Sequence, residues 1–121
     1  MSMVEPAVVV QKAYDWTLWV IPKAEKFPRC YRFTLGERLV GSSLELLLQL
    51  VDASYQARNA ASLRAAVRQI NRVRYLAPLA KDLRAINVDA HEFAAKAIDE
   101  IGDLVGGSYS GGVLTFCVYG Q

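Results

Sequence analysis

Four long segments of the 121-residue chain carry apolar residues at helical spacing, and this periodicity constrains the fold more than any other feature. The segments run from about residue 6 to 26, 35 to 58, 60 to 85 and 87 to 105. Long helices joined by short connections pack as antiparallel neighbours. The pattern therefore predicts an all-α fold, an antiparallel up-down-up-down four-helix bundle.

The predicted core consists of one apolar stripe in each segment. The stripes are Val9, Ala13, Trp16, Val20 and Ala24 in the first; Leu35, Leu39, Leu46, Leu50, Ala53 and Ala57 in the second; Leu63, Ala66, Val67, Ile70, Val73 and Ala77 in the third; and Phe93, Ala94, Ala97, Ile98, Ile101, Leu104 and Val105 in the fourth. The second segment carries an adjoining stripe, formed by Val40, Leu44, Leu47, Val51 and Tyr55. We expect a helix that is apolar on two faces to be buried by more than one neighbour.

The connection between the first two segments carries two boundary signals. Pro28 disfavours the α region at the preceding residue, so the first helix is expected to end there. Thr34 and Glu37 have the spacing of a capping box, which predicts the start of the second helix. Pro22 lies inside the first segment and is expected to kink it or break its last turn, whereas Pro78 is expected to kink the third.

The C-terminal end departs from the helical pattern. Gly106 and Gly107 are expected to stop the fourth helix. The predicted division is therefore a bundle at residues 1–107 and a tail at residues 108–121. The tail is uncharged and β-prone at Val113–Tyr119, which is typical of a strand, a docking peptide or a disordered end.

Composition indicates the class of protein. The hydrophobic fraction of 53% is slightly above the usual share for a soluble domain, which suggests an oligomer. No run reaches the roughly 20 apolar residues that span a bilayer, and the N-terminus lacks the basic region of a signal peptide. Cys30 and Cys117 without a secretion signal are typical of free thiols in a reducing compartment. We therefore expect a cytoplasmic protein without membrane contact.

Charge is distributed unevenly along the chain, although the net charge is only +2. Residues 23–84 carry twelve cations and five acids, whereas residues 85–121 carry one cation and five acids. A basic middle with an acidic end can bind nucleic acid, pair with a neighbouring subunit, or do both.

Three arginines of the third segment form a ridge, since Arg64, Arg68 and Arg72 step by four residues. Lys81 and Arg84 extend the positive charge toward the end of this segment. Arginine favours bidentate phosphate contacts and stacking on bases. The ridge is therefore a candidate surface for nucleic acid or an acidic protein, and the alternative is a solvated face held by salt bridges.

The corner at residues 26–39 is also basic. It contains Arg29, Arg32 and Arg38 together with Lys26 and three aromatic residues, and its only acid is Glu37. A simple helix connection does not need these residues, so they suggest a contact with something anionic.

Arg74 differs from the ridge because a helical wheel places it beside the core residues Val67 and Ile70. We expect it to pair with a buried carboxylate, Asp52 or Glu45, or to line a channel between subunits.

Candidate catalytic groups are few. His91 is the only histidine, and no Cys or His cluster lies near it to bind a metal. Its neighbours Asp89 and Glu92 are better explained by the positive end of a helix. The chain lacks a phosphate loop and a dinucleotide-binding glycine pattern. Ser42 and Ser43 have no base nearby and are interpreted as packing residues. We expect no enzyme, no metal and no cofactor.

Two parts of the corner, KFPR at residues 26–29 and RFTLGER at residues 32–38, resemble a motif of the accessory variability determinant (Avd) proteins of diversity-generating retroelements. They are also similar to the related four-helix-bundle proteins encoded by intervening sequences of 23S ribosomal RNA. Less specific similarities extend the resemblance to about residues 8–107. The chain departs from the family pattern at Pro78 and after Gly107, where the family has a Trp.

The resemblance implies a four-helix bundle assembled as a cyclic homopentamer with a basic surface. It further implies binding to the retroelement reverse transcriptase and to RNA or an RNA/DNA hybrid, in support of mutagenic cDNA synthesis. By position, Arg29, Arg32, Arg38 and Arg74 fall on basic positions of the family. The alternatives are a protein associated with ribosomal RNA and a purely structural oligomer, in which the basic middle of one subunit meets the acidic fourth helix of the next.

Overall fold

The computed structural model of the chain describes residues 4–55 and 60–109, with side chains at residues 8–55 and 60–106. These ranges contain four long helices: α1 (Val4–Glu25), α2 (Glu37–Tyr55), α3 (Ala60–Asp82) and α4 (Val88–Tyr109). Between α1 and α2 lie a single α-helical turn, Arg29–Tyr31, and a π-helical turn, Arg32–Gly36. The described residues contain no strand, which confirms the all-α class. None of the described helices is both long enough and apolar enough to cross a bilayer.

The four helices form an antiparallel bundle, in which each packs against two others. Contacts join α1 to α2, α2 to α3, α3 to α4 and α4 to α1. The contacts show that neighbouring helices run in opposite directions, since later residues on one helix meet earlier residues on the next. Trp16–Ser43 and Ala24–Gly36 join α1 to α2 and its preceding turn, Lys12–Glu100 and Trp19–Phe93 join α1 to α4, and Ile70–Gly102 and Arg74–Asp99 join α3 to α4. The predicted bundle is therefore confirmed for the single chain. The corner and the connection between α3 and α4 lie at the same end of it.

The core consists mainly of the predicted stripes. It includes Val9, Ala13, Trp16, Val20 and Ala24 of α1, Leu39, Leu46 and Leu50 of α2, Ala66, Ile70, Val73 and Ala77 of α3, and Ala94, Ile98, Ile101 and Val105 of α4. Phe93 is an incorrect core prediction, because it is exposed at the edge of α4 and packs against Trp19.

A buried hydrogen bond joins α1 to α2 within this core. The Trp16 indole N–H donates to the Ser43 hydroxyl oxygen at 2.8 Å, and that hydroxyl donates to the Leu39 carbonyl. The packing role predicted for Ser43 is therefore confirmed. The hydroxyl also satisfies an indole N–H that would be costly to bury without an acceptor.

The second apolar stripe of α2 is only partly buried. Leu47 packs against the core, and Val40 and Val51 are half-buried, whereas Leu44 and Tyr55 are exposed, as is the nearby Leu48. The expectation that more than one neighbour buries α2 is confirmed, since α1 and α3 both pack against it. Neither of them covers Leu44 and Tyr55.

The adjacent side of α1 is apolar and exposed as well. Ile21 of α1 lines a groove with Val40 and Leu44 of α2. Tyr14 and Leu18 precede Ile21 by seven and three residues, so they share its side of α1, and both are exposed. The exposed apolar residues Tyr14, Leu18, Leu44 and Leu48 together form what we call the α1–α2 face.

The corner between α1 and α2 does not form the predicted capping box. Thr34 lies inside the π-helical turn, and its hydroxyl donates to the Tyr31 carbonyl at 3.4 Å instead of accepting an N–H. The chain is already helical from Arg29, so there is no free helix N-terminus at Thr34 to cap. The predicted end of α1 is confirmed, since the helix ends at Glu25, shortly before Pro28.

Gly36 lies against the end of α1. A Cβ at Gly36 would lie 3.4 Å from a ring carbon of the buried Phe27 and 3.5 Å from the Ala24 carbonyl oxygen. These are ordinary van der Waals distances, so the corner packs directly on the last turn of α1 and on Phe27.

The structure bears on three predicted interruptions of the helices. Neither Pro22 nor Pro78 breaks its helix, since α1 continues to Glu25 and α3 to Asp82, and the kinks expected at the two prolines stay predictions. The predicted stop at Gly106 and Gly107 is wrong, because α4 continues to Tyr109. The β-prone segment Val113–Tyr119 lies outside the described residues, and the division at residue 107 stays a prediction.

Candidate functional site

The predicted basic residues lie on the surface of the bundle but not on a single face. The exposed ones are Arg29, Arg32, Arg38, Arg64, Arg68, Arg72, Arg74 and Arg84, and Lys81 is half-buried. Each is accessible to a partner, and the packing of the helices decides which of them lie together.

Arg38 and Arg72 line a common groove between α2 and α3, which we call the α2–α3 groove. Arg38 and Ser42 are four residues apart on α2 and project from the same side of that helix. From α3 the groove is lined by Asn71, Arg72, Tyr75 and Leu76, and its volume is about 510 Å³. The antiparallel packing of α2 and α3 thus brings the corner and the ridge together.

The α2–α3 groove is basic. Its described lining residues include two arginines and no acid. Within residues 8–55 and 60–106, neither Arg38 nor Arg72 forms an ion pair. Tyr75 follows Arg72 by one helical turn and is 81% exposed. The groove therefore offers a ligand two uncompensated cations and an accessible aromatic ring.

The ridge continues from this groove toward the start of α3. Arg68 and Arg64 precede Arg72 at four-residue steps, which makes the ridge about 12 Å long at 1.5 Å per residue. Neither has an ion-pair partner in the part of the chain that the structure describes. Glu45 of α2 instead accepts a hydrogen bond from Gln49 at 2.7 Å. Within the described residues, the ridge is therefore not a helix face held by salt bridges.

Arg74 belongs to a different side of α3 and is exposed. Its Nη2 donates to Asp99 Oδ1 of α4 at 3.1 Å, in an ion pair open to solvent. The predicted pairing with a buried Asp52 or Glu45 is wrong, because this side of α3 faces α4 and not α2. Gly102 of α4 provides the space, since a Cβ there would lie 2.9 Å from Arg74 Nη2.

Arg32 lies apart from the ridge, at the other side of α2. It lines the groove of about 410 Å³ between α1 and α2, and its guanidinium donates to the Phe27 carbonyl at 3.5 Å. Arg29 begins the single helical turn after Pro28 and is exposed. The corner therefore divides its arginines, with Arg38 at the α2–α3 groove and Arg32 beside the α1–α2 face.

Lys81 and Arg84 lie at the end of α3, at the same end of the bundle as the corner. Lys81 Nζ is 3.7 Å from the Asp82 carboxylate, which compensates part of its charge. Arg84 has a φ of 65°, a left-handed conformation that favours glycine. Its N–H donates to the Lys81 carbonyl, and the Ala85 N–H donates to the Ala80 carbonyl. This Schellman motif ends α3 at Asp82, earlier than the periodicity predicts.

His91 lies in the first turn of α4 and is half-buried. Asn87 caps this helix, because its Oδ1 accepts the Ala90 N–H at 2.7 Å. Cys30 is exposed and free, and its possible partner Cys117 lies outside the described residues. No group of three or more His, Cys, Asp or Glu side chains within the described ranges is placed to hold a metal ion.

Sequence reasoning does not identify Tyr75, Asn71 or Ser42 as site residues. The spacing on α3 contains a usable signal, since Asn71 and Tyr75 flank Arg72 on an exposed side of the helix. Ser42 carries no such signal, because a serine between Gly41 and Ser43 in a helix is typical of packing. Only the packing of α3 against α2 shows that Ser42 lies in the groove.

A comparison with protein families matches the bAvd-like family over residues 7–110. The comparisons with curated proteins and with solved structures give no match. The matched range includes the corner, the ridge and both helices of the α2–α3 groove. Because the match covers most of the sequence, the chain belongs to the bAvd-like family, as the resemblance in the corner predicts.

Proposed function

We propose that the protein is a non-catalytic accessory protein of a diversity-generating retroelement. In this role it acts in the cytoplasm and binds the reverse transcriptase together with RNA or an RNA/DNA hybrid, in support of mutagenic cDNA synthesis. Membership of the bAvd-like family supports the retroelement role. The observation that carries nucleic-acid binding is the set of exposed arginines, without ion pairs in the described part of the chain, at Arg38, Arg64, Arg68 and Arg72.

The charge of this surface favours a phosphate backbone as its partner. Arginines that neutralise phosphates release condensed counterions, so affinity falls as salt concentration rises. Each neutralised phosphate of a single strand contributes about −0.7 to the slope of log K against log salt concentration. If all four arginines contact phosphates, the slope is expected to be about −3.

The acidic helix of a neighbouring subunit is a second candidate partner for the ridge. Within the chain, Asp99 of α4 is paired with Arg74, and Glu100 of α4 lies 2.9 Å from Lys12 of α1. The other acids of α4, Asp89, Glu92 and Asp103, are exposed and form no ion pair within the described residues.

We also propose that the protein assembles as a homo-oligomer through the α1–α2 face, and that the assembly is the pentamer implied by the family. Leu18 is 60% exposed and Leu48 is 56% exposed on this face. Exposed apolar residues that share one side of a protein are typical of an association site. The ridge lies on α3, away from this patch, so a second copy bound there leaves the ridge accessible.

A salt titration of nucleic-acid binding tests the proposed function. The wild-type protein is compared with a variant in which Arg64, Arg68 and Arg72 are all replaced by Gln. The slope of log K against log salt concentration is expected to become shallower by about 2 in this variant. Lys96→Gln removes one cation from α4 and is the control, and it should leave the slope unchanged because no residue of α4 lines the α2–α3 groove.

Two results contradict this proposal. Wild-type affinity that does not change with salt would exclude binding led by phosphate contacts. An unchanged slope in the triple variant would exclude the ridge as the binding surface. Association with the reverse transcriptase is tested separately, by co-purification of the two proteins after co-expression.

A further inference from the structure

Tyr75 is placed where it can contact the base of a bound nucleic acid. It lines the α2–α3 groove together with Arg38 and Arg72, and it is 81% exposed. We propose that this groove binds one unpaired nucleotide of a single-stranded segment, with its base stacked on Tyr75 and its flanking phosphates at Arg38 and Arg72. This inference rests on the nucleic-acid binding proposed above and specifies the ligand of the same surface.

The two arginines and the tyrosine occupy complementary positions. Arg72 and Tyr75 are one helical turn apart on α3, whereas Arg38 approaches from α2. Proteins that bind single strands combine a positively charged groove with aromatic rings on which bases stack. The α2–α3 groove contains both elements within one set of lining residues.

The remaining lining residues suit a base. The Asn71 amide supplies both hydrogen-bond donors and an acceptor, and the Ser42 hydroxyl can donate or accept. Leu76 supplies an apolar contact. A volume of about 510 Å³ lies within the range of small-molecule sites, which is about 300–1,000 Å³.

The exposed ring favours a single strand over a duplex. Bases inside a duplex stack on their neighbours and present only their edges in the grooves. A tyrosine ring can stack on a base only where the base is unpaired or has been displaced from the helix. Arginines alone would bind both forms, so Tyr75 is the residue that distinguishes them.

Fluorescence anisotropy with labelled oligonucleotides tests this inference. The ligands are a single-stranded RNA, a single-stranded DNA of the same sequence, and the corresponding duplex. Tyr75→Ala is expected to weaken binding of both single strands by a factor between about 5 and about 140, the effect expected for loss of one stacked base. Binding of the duplex should stay within about 2-fold of wild type, because phosphate contacts dominate it.

Two further variants separate stacking from loss of structure. Tyr75→Phe keeps the ring and is expected to bind single strands like the wild type. Tyr55→Ala is the matched control, since Tyr55 is 76% exposed on α2 and lies about 26 Å along that helix from Arg38. It should leave all three affinities unchanged. The oligomeric mass of each variant is measured alongside.

The outcomes distinguish this inference from the proposed function. Tyr75→Ala could weaken binding of the single strands and of the duplex equally, or leave both unchanged. If the triple variant of Arg64, Arg68 and Arg72 still alters the salt slope in either case, the unpaired-nucleotide site is wrong and phosphate binding stands. If no oligonucleotide binds in a salt-dependent manner, both proposals are wrong. The strand that the wild type binds more tightly identifies the ligand as RNA or DNA.

Discussion

The Arg74 guanidinium of α3 lies against Gly102 of α4, where a Cβ would come within 2.9 Å of Nη2. The same nitrogen donates to Asp99 Oδ1 at 3.1 Å, one helical turn earlier on α4. A glycine inside a helix is less favourable than alanine by about 1 kcal/mol. The space it leaves for Arg74 provides the structural reason for a glycine at this position.

The substitution Gly102→Ala tests this relationship. It should change the free energy of unfolding little, because about 1 kcal/mol of helix propensity is offset by displacement of Arg74 and weakening of an exposed ion pair. In an Arg74→Ala background the same substitution should stabilise the protein by about 1 kcal/mol. Urea unfolding followed by circular dichroism measures both effects. An equal effect in the two backgrounds would show that Arg74 does not occupy this space.

The hydrogen bond between Trp16 and Ser43 should contribute to stability, because it satisfies a buried indole N–H. Ser43→Ala leaves this N–H without its acceptor and is expected to destabilise the protein by about 1–3 kcal/mol. Ser42→Ala is the control, since Ser42 is the adjacent residue and lines the groove. Equal losses of stability in the two variants would contradict the role of the hydrogen bond. Both are measured by urea unfolding at one protein concentration.

The proposed oligomer predicts that a polar residue on the α1–α2 face lowers the oligomeric mass. Leu48→Gln places an amide in the apolar interface, where it lacks a hydrogen-bond partner. Size-exclusion chromatography with light scattering should show a smaller species than the wild type. Leu79→Gln is the matched control, because Leu79 is 46% exposed but lies on α3. A wild-type protein that is monomeric at micromolar concentration would refute the proposed assembly.

Helical periodicity predicts the core of this bundle because burial follows the side of each helix. Trp16 and Val73 are identified in this way without knowledge of their neighbours. The partner of Arg74 cannot be found by the same method, because a helical wheel does not show which helix lies beside it. The capping-box spacing at Thr34 fails for a related reason, since it does not reveal that the preceding residues are already helical.

The α2–α3 groove also lies beyond what the sequence predicts. Arg38 and Arg72 are recognisable as basic surface residues from charge patterning alone. Their meeting depends on the alignment of α2 against α3, which the periodicity of either helix does not specify. The spacing of Tyr75 from Arg72 is readable in the sequence, but only the packed structure shows that both residues line one groove with Arg38.

Arg84 is expected to reduce stability, because its φ of 65° is unfavourable for a residue with a Cβ. Arg84→Gly should stabilise the protein by roughly 0.5–1 kcal/mol, since glycine adopts this conformation without strain. Arg84→Ala removes the same charge but keeps the Cβ, so it should give no such gain. Urea unfolding of the two variants isolates the backbone effect.

The same pair of variants tests whether Arg84 contacts nucleic acid. Both lose one cation, so both should make the slope of log K against log salt concentration shallower by about 0.7 if Arg84 contacts a phosphate of a single strand. The difference in free energy of unfolding between the Gly and Ala variants should be present whether or not Arg84 contacts nucleic acid. If the slope of both variants equals that of the wild type, Arg84 does not contact nucleic acid. If only one variant has a shallower slope, the effect comes from backbone conformation and not from charge.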